Sequence, residues 1–403
     1  MAAGRRILVA YLVYFAAIGA AFPYLPVYYR EIGLGFERIG LLTAIQAMTQ
    51  LAMAPVWGGL ADRYPRTRLT LPLAALVASA GAAILFRAGA FEIVLVGSVV
   101  LYAGLAGIGP SLDARTLETL GPDRRDRYGQ VRAFGSLAFV VATWGVGLLL
   151  DAEGAISLFW VYIPFLLATA AVTSTIPRRP GLTRSVSLWR GARHVVSAPG
   201  MAGFFGGFLL VWSALAAANA FYSIQVVALG GTTSMVGLIW AVASIIEVPI
   251  MYGFPRLARR FRTEDLLVLG AIGFAVRAAL SGLARDPAWL IAIAPLEGIS
   301  FAFVFVGGVT LVASRAPAGI GGTAQGVFSA FSGLATIIGS AGGGAIAAAF
   351  GIPGLFAVCA MVGLAGAAVV GMAVESPKKD AATATVPPED VVPAPGTPPP
   401  EPV

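Results

Sequence analysis

Asp113 and Arg132, and separately Arg277 and Glu297, are opposite charges set in stretches otherwise apolar enough to cross a bilayer. An ionised side chain at the centre of a membrane helix costs roughly 2.5–3.5 kcal/mol on insertion scales, so each requires a partner or a task. Asp113 lies nine residues before Pro122 and Arg132 ten after it, so a hairpin turning at Gly121-Pro122 brings both to one depth. Arg277 and Glu297 each lie ten residues from Pro287, the turn of a second hairpin. At ~1.5 Å per residue that is roughly 15 Å, half of a ~30 Å hydrocarbon core. Carboxylate–guanidinium pairs at mid-membrane have two uses. They staple helices together, or they face an aqueous cavity and handle a polar solute or a proton. Glu247 adds a carboxylate about thirteen residues into another apolar stretch, with Trp240, Ser244 and Met251 on its helical face. Arg132 heads a comparable face with Ser136 and Phe139.

The chain around these residues is 58% hydrophobic and 12% charged over 403 residues, with mean hydropathy +0.84. Soluble domains carry about 25% charged residues, which excludes an ordinary water-soluble protein. One cysteine (Cys359) and one histidine (His194) exclude a disulfide framework and a soft metal cluster, and nothing implies a cofactor. Apolar segments of membrane-spanning length recur twelve times: 7–29, 39–60, 69–87, 91–119, 127–150, 155–176, 201–224, 234–255, 266–284, 287–313, 322–346 and 351–374. The first follows Arg5-Arg6 but is longer than a ~7–15-residue signal core, and reads as an uncleaved helix. Short joints carry turn residues, as at Gly230-Gly231 and Gly351-Ile352-Pro353. The fold class is therefore an all-α membrane protein of twelve transmembrane helices in two six-helix bundles, 1–176 and 201–374. A polar linker, 177–200, separates them, and its Ser187–Ser197 piece suits the membrane surface. The tail 375–403 holds nine of the 26 prolines and reads as disordered.

Lys and Arg fall on alternate loops, twenty on the side shared with the N-terminus and four on the other. The positive-inside rule then puts both termini in the cytoplasm of an inner membrane, and the net charge of +7 is a topology signal rather than a nucleic-acid surface. Six plus six helices is the layout of transporters built from two parallel halves, in which a monomer suffices.

Span two closes on Gly58-Gly-Leu-Ala-Asp62-Arg63-Tyr-Pro65-Arg66-Thr-Arg68. Gly58 permits close approach of another helix, and Asp62 can meet a helix N-terminus or an arginine there, as a latch favouring one conformation. With Arg63 and Arg66, this resembles the loop signature of the major facilitator superfamily, except that Pro65 stands where that signature has glycine. Within the superfamily the chain resembles the lactose permease branch, and its phenylpropionate permease members most, over residues 7–315. Phe22-Pro23-Tyr24-Leu25-Pro26 is similar to that branch's first-helix ending. Tyr128-Gly129-Gln130-Val131-Arg132-Ala-Phe-Gly135-Ser136 is similar to the start of its fifth helix. The resemblance implies solute ligation by Arg132 and Asp113 and proton coupling by Arg277 and Glu297, with Ser300 in place of a second glutamate. Phe139 for a galactose-stacking tryptophan, and Glu247 for a sugar-binding asparagine, argue against a galactoside.

The expected activity is secondary transport of a small polar or amphipathic solute, a sugar, nucleoside or aromatic acid, by alternating access. Asp113, Arg132, Ser136, Phe139 and Glu247 form the solute site, and Arg277 with Glu297 couples solute movement to protons. A proton-driven exporter of drugs or metabolites fits the same residues. An intramembrane or lipid-handling enzyme does not, because no nucleophile–base or metal constellation lies in a span.

Overall fold

The computed structural model describes residues 2–64, 69–120, 128–176, 193, 195–315 and 321–375, and the regular structure among them is helical. The first span is two helices, α1 (Ala2–Ala21) and α2 (Leu25–Glu31). Pro23 cannot donate to the α1 ladder and Pro26 sits in the first turn of α2, so the single helix expected over 7–29 breaks at residues 22–24. The N-terminal half continues with α3 (Phe36–Arg63), α4 (Thr70–Phe86), α5 (Phe91–Leu120), α6 (Tyr128–Glu153) and α7 (Leu158–Ser174). The C-terminal half contains α8 (Met201–Ala228), α9 (Thr233–Arg260), α10 (Thr263–Gly282), α11 (Pro287–Arg315) and α12 (Gly321–Glu375). Helix α12 is two spans. Gly351, at φ 70° and ψ 176°, adopts a conformation that side chains with a Cβ resist, and turns the chain back ahead of Pro353. The hairpin turn at Gly121-Pro122, most of the linker and the proline-rich tail lie outside the described residues.

In the N-terminal bundle α1 packs on α6 and α7, while α4 packs on α5 and α7. In the C-terminal bundle α12 packs on α8 and α10, and α9 packs on α11. The bundles meet through α3 against α12 and α6 against α9. These contacts are tight at the arginine-poor end of the molecule. A Cβ on Gly40 of α3 would lie 2.6 Å from Gly344 of α12, and one on Gly147 of α6 would lie 2.8 Å from Ser234 of α9. The same end is tied by polar contacts. Tyr24 Oη donates to the Thr143 carbonyl, and Thr233 Oγ1 donates to the Gly147 carbonyl at 2.9 Å. Asp151 Oδ1 accepts from both the backbone N and Oγ1 of Thr233 at 2.6 Å.

At the arginine-rich end the halves part. One apolar core runs through the N-terminal bundle and across into the far ends of α8, α9, α11 and α12. A second core, built on Phe204, Phe205, Phe208, Phe274 and Phe328, belongs to the C-terminal bundle alone at the arginine-rich end. The aromatic contacts between bundles, Phe22 with Trp240 and Phe36 with Phe221, lie toward the opposite, arginine-poor end. A Cβ on Gly58 would meet nothing within 4 Å, so among the described residues no helix occupies the approach that glycine permits. Arg63 is exposed beside Tyr64 at 6.0 Å, and the Asp62 side chain and Arg66 lie outside the described residues. The molecule is closed at one end and splayed at the other.

Candidate functional site

Three helices of the N-terminal bundle build the first charge pair. Arg132 Nη1 of α6 stands 3.7 Å from Asp113 Oδ2 of α5, and their side chains are 50% and 34% exposed. Tyr11 of α1 donates its hydroxyl to Asp113 Oδ1 at 2.5 Å and accepts from Thr116 Oγ1 at 3.3 Å. Phe15, one turn after Tyr11 and stacked on it at 5.9 Å, lies 5.5 Å below the Arg132 guanidinium. Gly135 lets that ring approach, because a Cβ there would sit 2.7 Å from it. The result is a guanidinium held between an aromatic face and a carboxylate, with half its surface free. Such a group can still take a hydroxyl or a carboxylate from a guest.

The second pair differs. Arg277 Nη1 of α10 lies 2.8 Å from Glu297 Oε2 of α11, with the side chains only 3% and 7% exposed. Asn219 of α8 bridges them, donating Nδ2 to Glu297 Oε1 at 3.0 Å and accepting from Arg277 Nη1 at 3.2 Å. The guanidinium also lies 4.2 Å from the ring centre of Tyr222. Charges taken out of water survive when the geometry is good and their polar atoms are paired, and here an amide and a π-face satisfy part of that need, leaving Arg277 Nε unpartnered.

Glu247 on α9 is half-buried between the two pairs. Among the described residues it has no hydrogen-bond or ion-pair partner, yet it is within electrostatic reach of both Glu297 and Arg132. Gly298, next to Glu297, brings α11 against the α9 backbone, since a Cβ there would strike the Ala243 carbonyl and approach Glu247 N at 2.9 Å. Ser136 and Phe139 are half-buried on α6 after Arg132, and Phe139 packs against the N-terminal core.

Other polar residues of the spans serve packing. Gln46 is buried and donates to Tyr29 Oη at 2.9 Å and Ser98 Oγ at 3.2 Å, stapling α3 to α2 and α5. Along α12, Gln325 donates to the Val309 carbonyl at 3.1 Å, and Ser332 and Thr336 bond within their own helix. Sequence reasoning alone does not single out Tyr11, Phe15 or Tyr222. The usable signal was the one-turn spacing of Tyr11 and Phe15 on span one, and Asn219 and Tyr222 one turn apart on span seven.

Known proteins share the family and the fold. A maltose permease of Geobacillus stearothermophilus is 29% identical over 323 residues, covering 79% of this chain and 81% of its own. A probable 3-phenylpropionic acid transporter of Escherichia coli (strain K12) is 27% identical over 323 residues, covering 77% and 82%. The solved nucleoside transporter NupG superposes with TM-score 0.83 at 16% identity, over 93% of this chain and all of that one, a likeness of fold. The description of the MFS_1 like family matches residues 5–358, so the chain belongs to that family and is a multi-pass membrane transporter of the major facilitator type, not an enzyme.

Proposed function

We propose that the protein is a proton-coupled symporter of a small hydroxylated solute, working by alternating access in the inner membrane with both termini cytoplasmic. The observation that carries this is the unequal environment of two charge pairs, one in each bundle. Asp113–Arg132 is loose and open, as a ligand-binding pair must be; Arg277–Glu297 is tight and sealed, as a store for one proton must be. The described conformation has its splayed end on the arginine-rich side, which the positive-inside rule makes cytoplasmic.

Solute would enter between α1, α5 and α6 on one side and α9 and α11 on the other. Asp113 and Arg132 take its polar groups, Phe15 offers a face, and Ser136, Phe139 and Glu247 shape the remainder. Two carboxylates (Asp113, Glu247) face one guanidinium there, and that guanidinium already has a partner. A neutral polyol such as a sugar, or a nucleoside, suits this charge balance better than an aromatic carboxylate. The name of the maltose permease relative points the same way.

Coupling resides in Glu297. It would take up and release the coupled proton as the halves rock and its pairing with Arg277 is broken and remade. Glu297→Gln is expected to abolish concentrative uptake under a proton gradient while leaving solute exchange. A mutant that still concentrates solute would remove Glu297 from the mechanism. Uptake assays with maltose, uridine and 3-phenylpropionate at two pH values identify the solute class.

A further inference from the structure

The sealed ion pair poses a question the solute cavity does not answer. Glu297 is 5% exposed while the cavity stands splayed at the arginine-rich end, so its carboxylate is shut off from the water that fills that opening. A line of buried polar groups instead leaves the pair in the opposite direction. Tyr222, fully buried on α8, holds its ring against Arg277 and donates its hydroxyl to the Leu290 carbonyl at 3.3 Å. Ser281, also fully buried, is one turn beyond Arg277 on α10, and its side chain faces the Tyr222 hydroxyl. Gln225, one turn beyond Tyr222 and 3% exposed, donates Nε2 to the Ser281 carbonyl at 2.5 Å. This brings the file to the last turns of α8 (ending at Ala228) and α10 (ending at Gly282), at the arginine-poor end. Leu283, two residues past Ser281, is 76% exposed, so about one turn of chain covers the file.

Four atoms along this line lack a hydrogen-bond partner: Gln225 Oε1, Ser281 Oγ, Arg277 Nε and Glu297 Oε2, the last ion-paired to Arg277. A helix contact needing only a staple would be satisfied by the Gln225–Ser281 bond and would not bury a bare amide oxygen, which costs about 1–3 kcal/mol. Buried water satisfies such groups where two to four polar atoms converge. The Ser281 side chain meets the Tyr222 hydroxyl, and the Gln225 amide, whose Oε1 is unpartnered, is bonded to the Ser281 backbone beside them.

We propose that Glu297 exchanges its proton with the arginine-poor face through a hydrated file of Gln225, Ser281 and Tyr222 inside the C-terminal bundle, separate from the solute cavity. The inference rests on the proton-coupled reading given above. A proton from bulk water joins the water held by Gln225 and Ser281, and that water passes one of its own protons on. The Ser281 and Tyr222 hydroxyls each accept one proton and release one, and the last transfer protonates a Glu297 oxygen. Only O–H bonds form and break, and no electron moves. The proton arrives when the halves rock and the pairing of Glu297 with Arg277 is broken. After transfer, the Arg277 cation keeps the Tyr222 ring and the Asn219 oxygen as partners. Glu247, the other carboxylate near Glu297, lies on the cavity side on α9 and does not contact the file.

The test uses the full chain in proteoliposomes with whichever of radiolabelled maltose, uridine or 3-phenylpropionate it carries. Gradient-driven uptake and solute exchange are measured for Ser281→Ala, Gln225→Leu, Ser281→Thr and Glu297→Gln. Ser281→Ala and Gln225→Leu are expected to slow gradient-driven uptake at least about tenfold, as loss of a proton-transfer group does. Exchange should stay near the parent rate, and Ser281→Thr, which keeps the hydroxyl, should restore uptake. If both uptake and exchange keep the parent rate in Ser281→Ala and Gln225→Leu while Glu297→Gln fails to concentrate solute, the file is not the route and coupling at Glu297 stands. If both rates fall together with the melting temperature, the residues are staples and the proposal is overturned. If Glu297→Gln itself concentrates solute, the coupling reading fails first.

Discussion

Asp151 gives the most direct handle on the closed end. Its carboxylate reaches from the last turn of α6 across to the first turn of α9, joining the two bundles. Oδ1 accepts from Thr233 N and Oγ1 at 2.6 Å and from Ser234 N at 3.2 Å, and Oδ2 also lies 3.2 Å from Ser234 N. A charged acceptor at a helix N-terminus gains from the hydrogen bonds and from the positive end of the dipole. Buried bonds of this kind contribute about 1.5–3 kcal/mol. Asp151 is exposed, so solvent screening reduces this to about 1–2 kcal/mol for the set. Asp151→Ala should therefore shift the balance toward opening at the arginine-poor end about 5–30-fold. Asp151→Asn, which keeps an acceptor but loses the charge, should shift it less. The assay replaces the buried Cys359 by alanine and places a reporter, Ser244→Cys, on the cavity face of α9. Labelling from the arginine-poor side by a membrane-impermeant maleimide then reports opening. Glu153→Gln, an exposed acid two residues on, is the control. An Asp151→Ala protein that folds but labels at the parent rate refutes the clasp.

The two charge pairs should respond oppositely to truncation. Arg132→Ala, at a half-exposed position, should lower solute transport at least about tenfold while changing stability by under ~1 kcal/mol, read as uptake and melting temperature in detergent. Arg277→Ala leaves a buried carboxylate unpaired and should destabilise by about 3–5 kcal/mol, with much of the loss recovered in Arg277→Ala/Glu297→Ala; equal melting temperatures would contradict the sealed geometry. Gly298→Val should push α11 off α9 and cost about 1–3 kcal/mol, because even a Cβ collides with the Ala243 carbonyl; a thermal-shift comparison with Gly307→Ala, where the nearest atom is a leucine side chain at 3.1 Å, isolates the effect. Gln46→Leu should lower the melting temperature without altering the solute concentration at half-maximal uptake, because its amide serves Tyr29 and Ser98 rather than the cavity.

Much of this architecture was legible in the sequence, for a specific reason. Lipid offers no hydrogen bonds, so twenty apolar residues in a row must be a helix, and charges placed among them must find each other. Equal spacing of Asp113 and Arg132 about one turn, and of Arg277 and Glu297 about another, therefore fixed the partners before any coordinates. Gly351 likewise announced the reversal inside α12. Local chemistry also sufficed to suggest turns at Gly230 and Gly351, and both glycines have positive φ. The break of the first span at Pro23 was equally visible but overridden by its continuous hydropathy.

What needed the tertiary structure was the character of each pair. Sequence spacing gives depth along a helix, not rotation about it or the distance between bundles. It could not tell that Asp113–Arg132 is loose and wet while Arg277–Glu297 is tight and dry, nor that Tyr11, Phe15, Asn219 and Tyr222 surround them. Those facts depend on which helices touch, and that is decided where small residues such as Gly40, Gly135 and Gly298 let backbones and rings approach within van der Waals contact. The same holds for the conformation, since an unoccupied approach at Gly58 and close contact at Gly40–Gly344 are compatible with one sequence in either of its two packings.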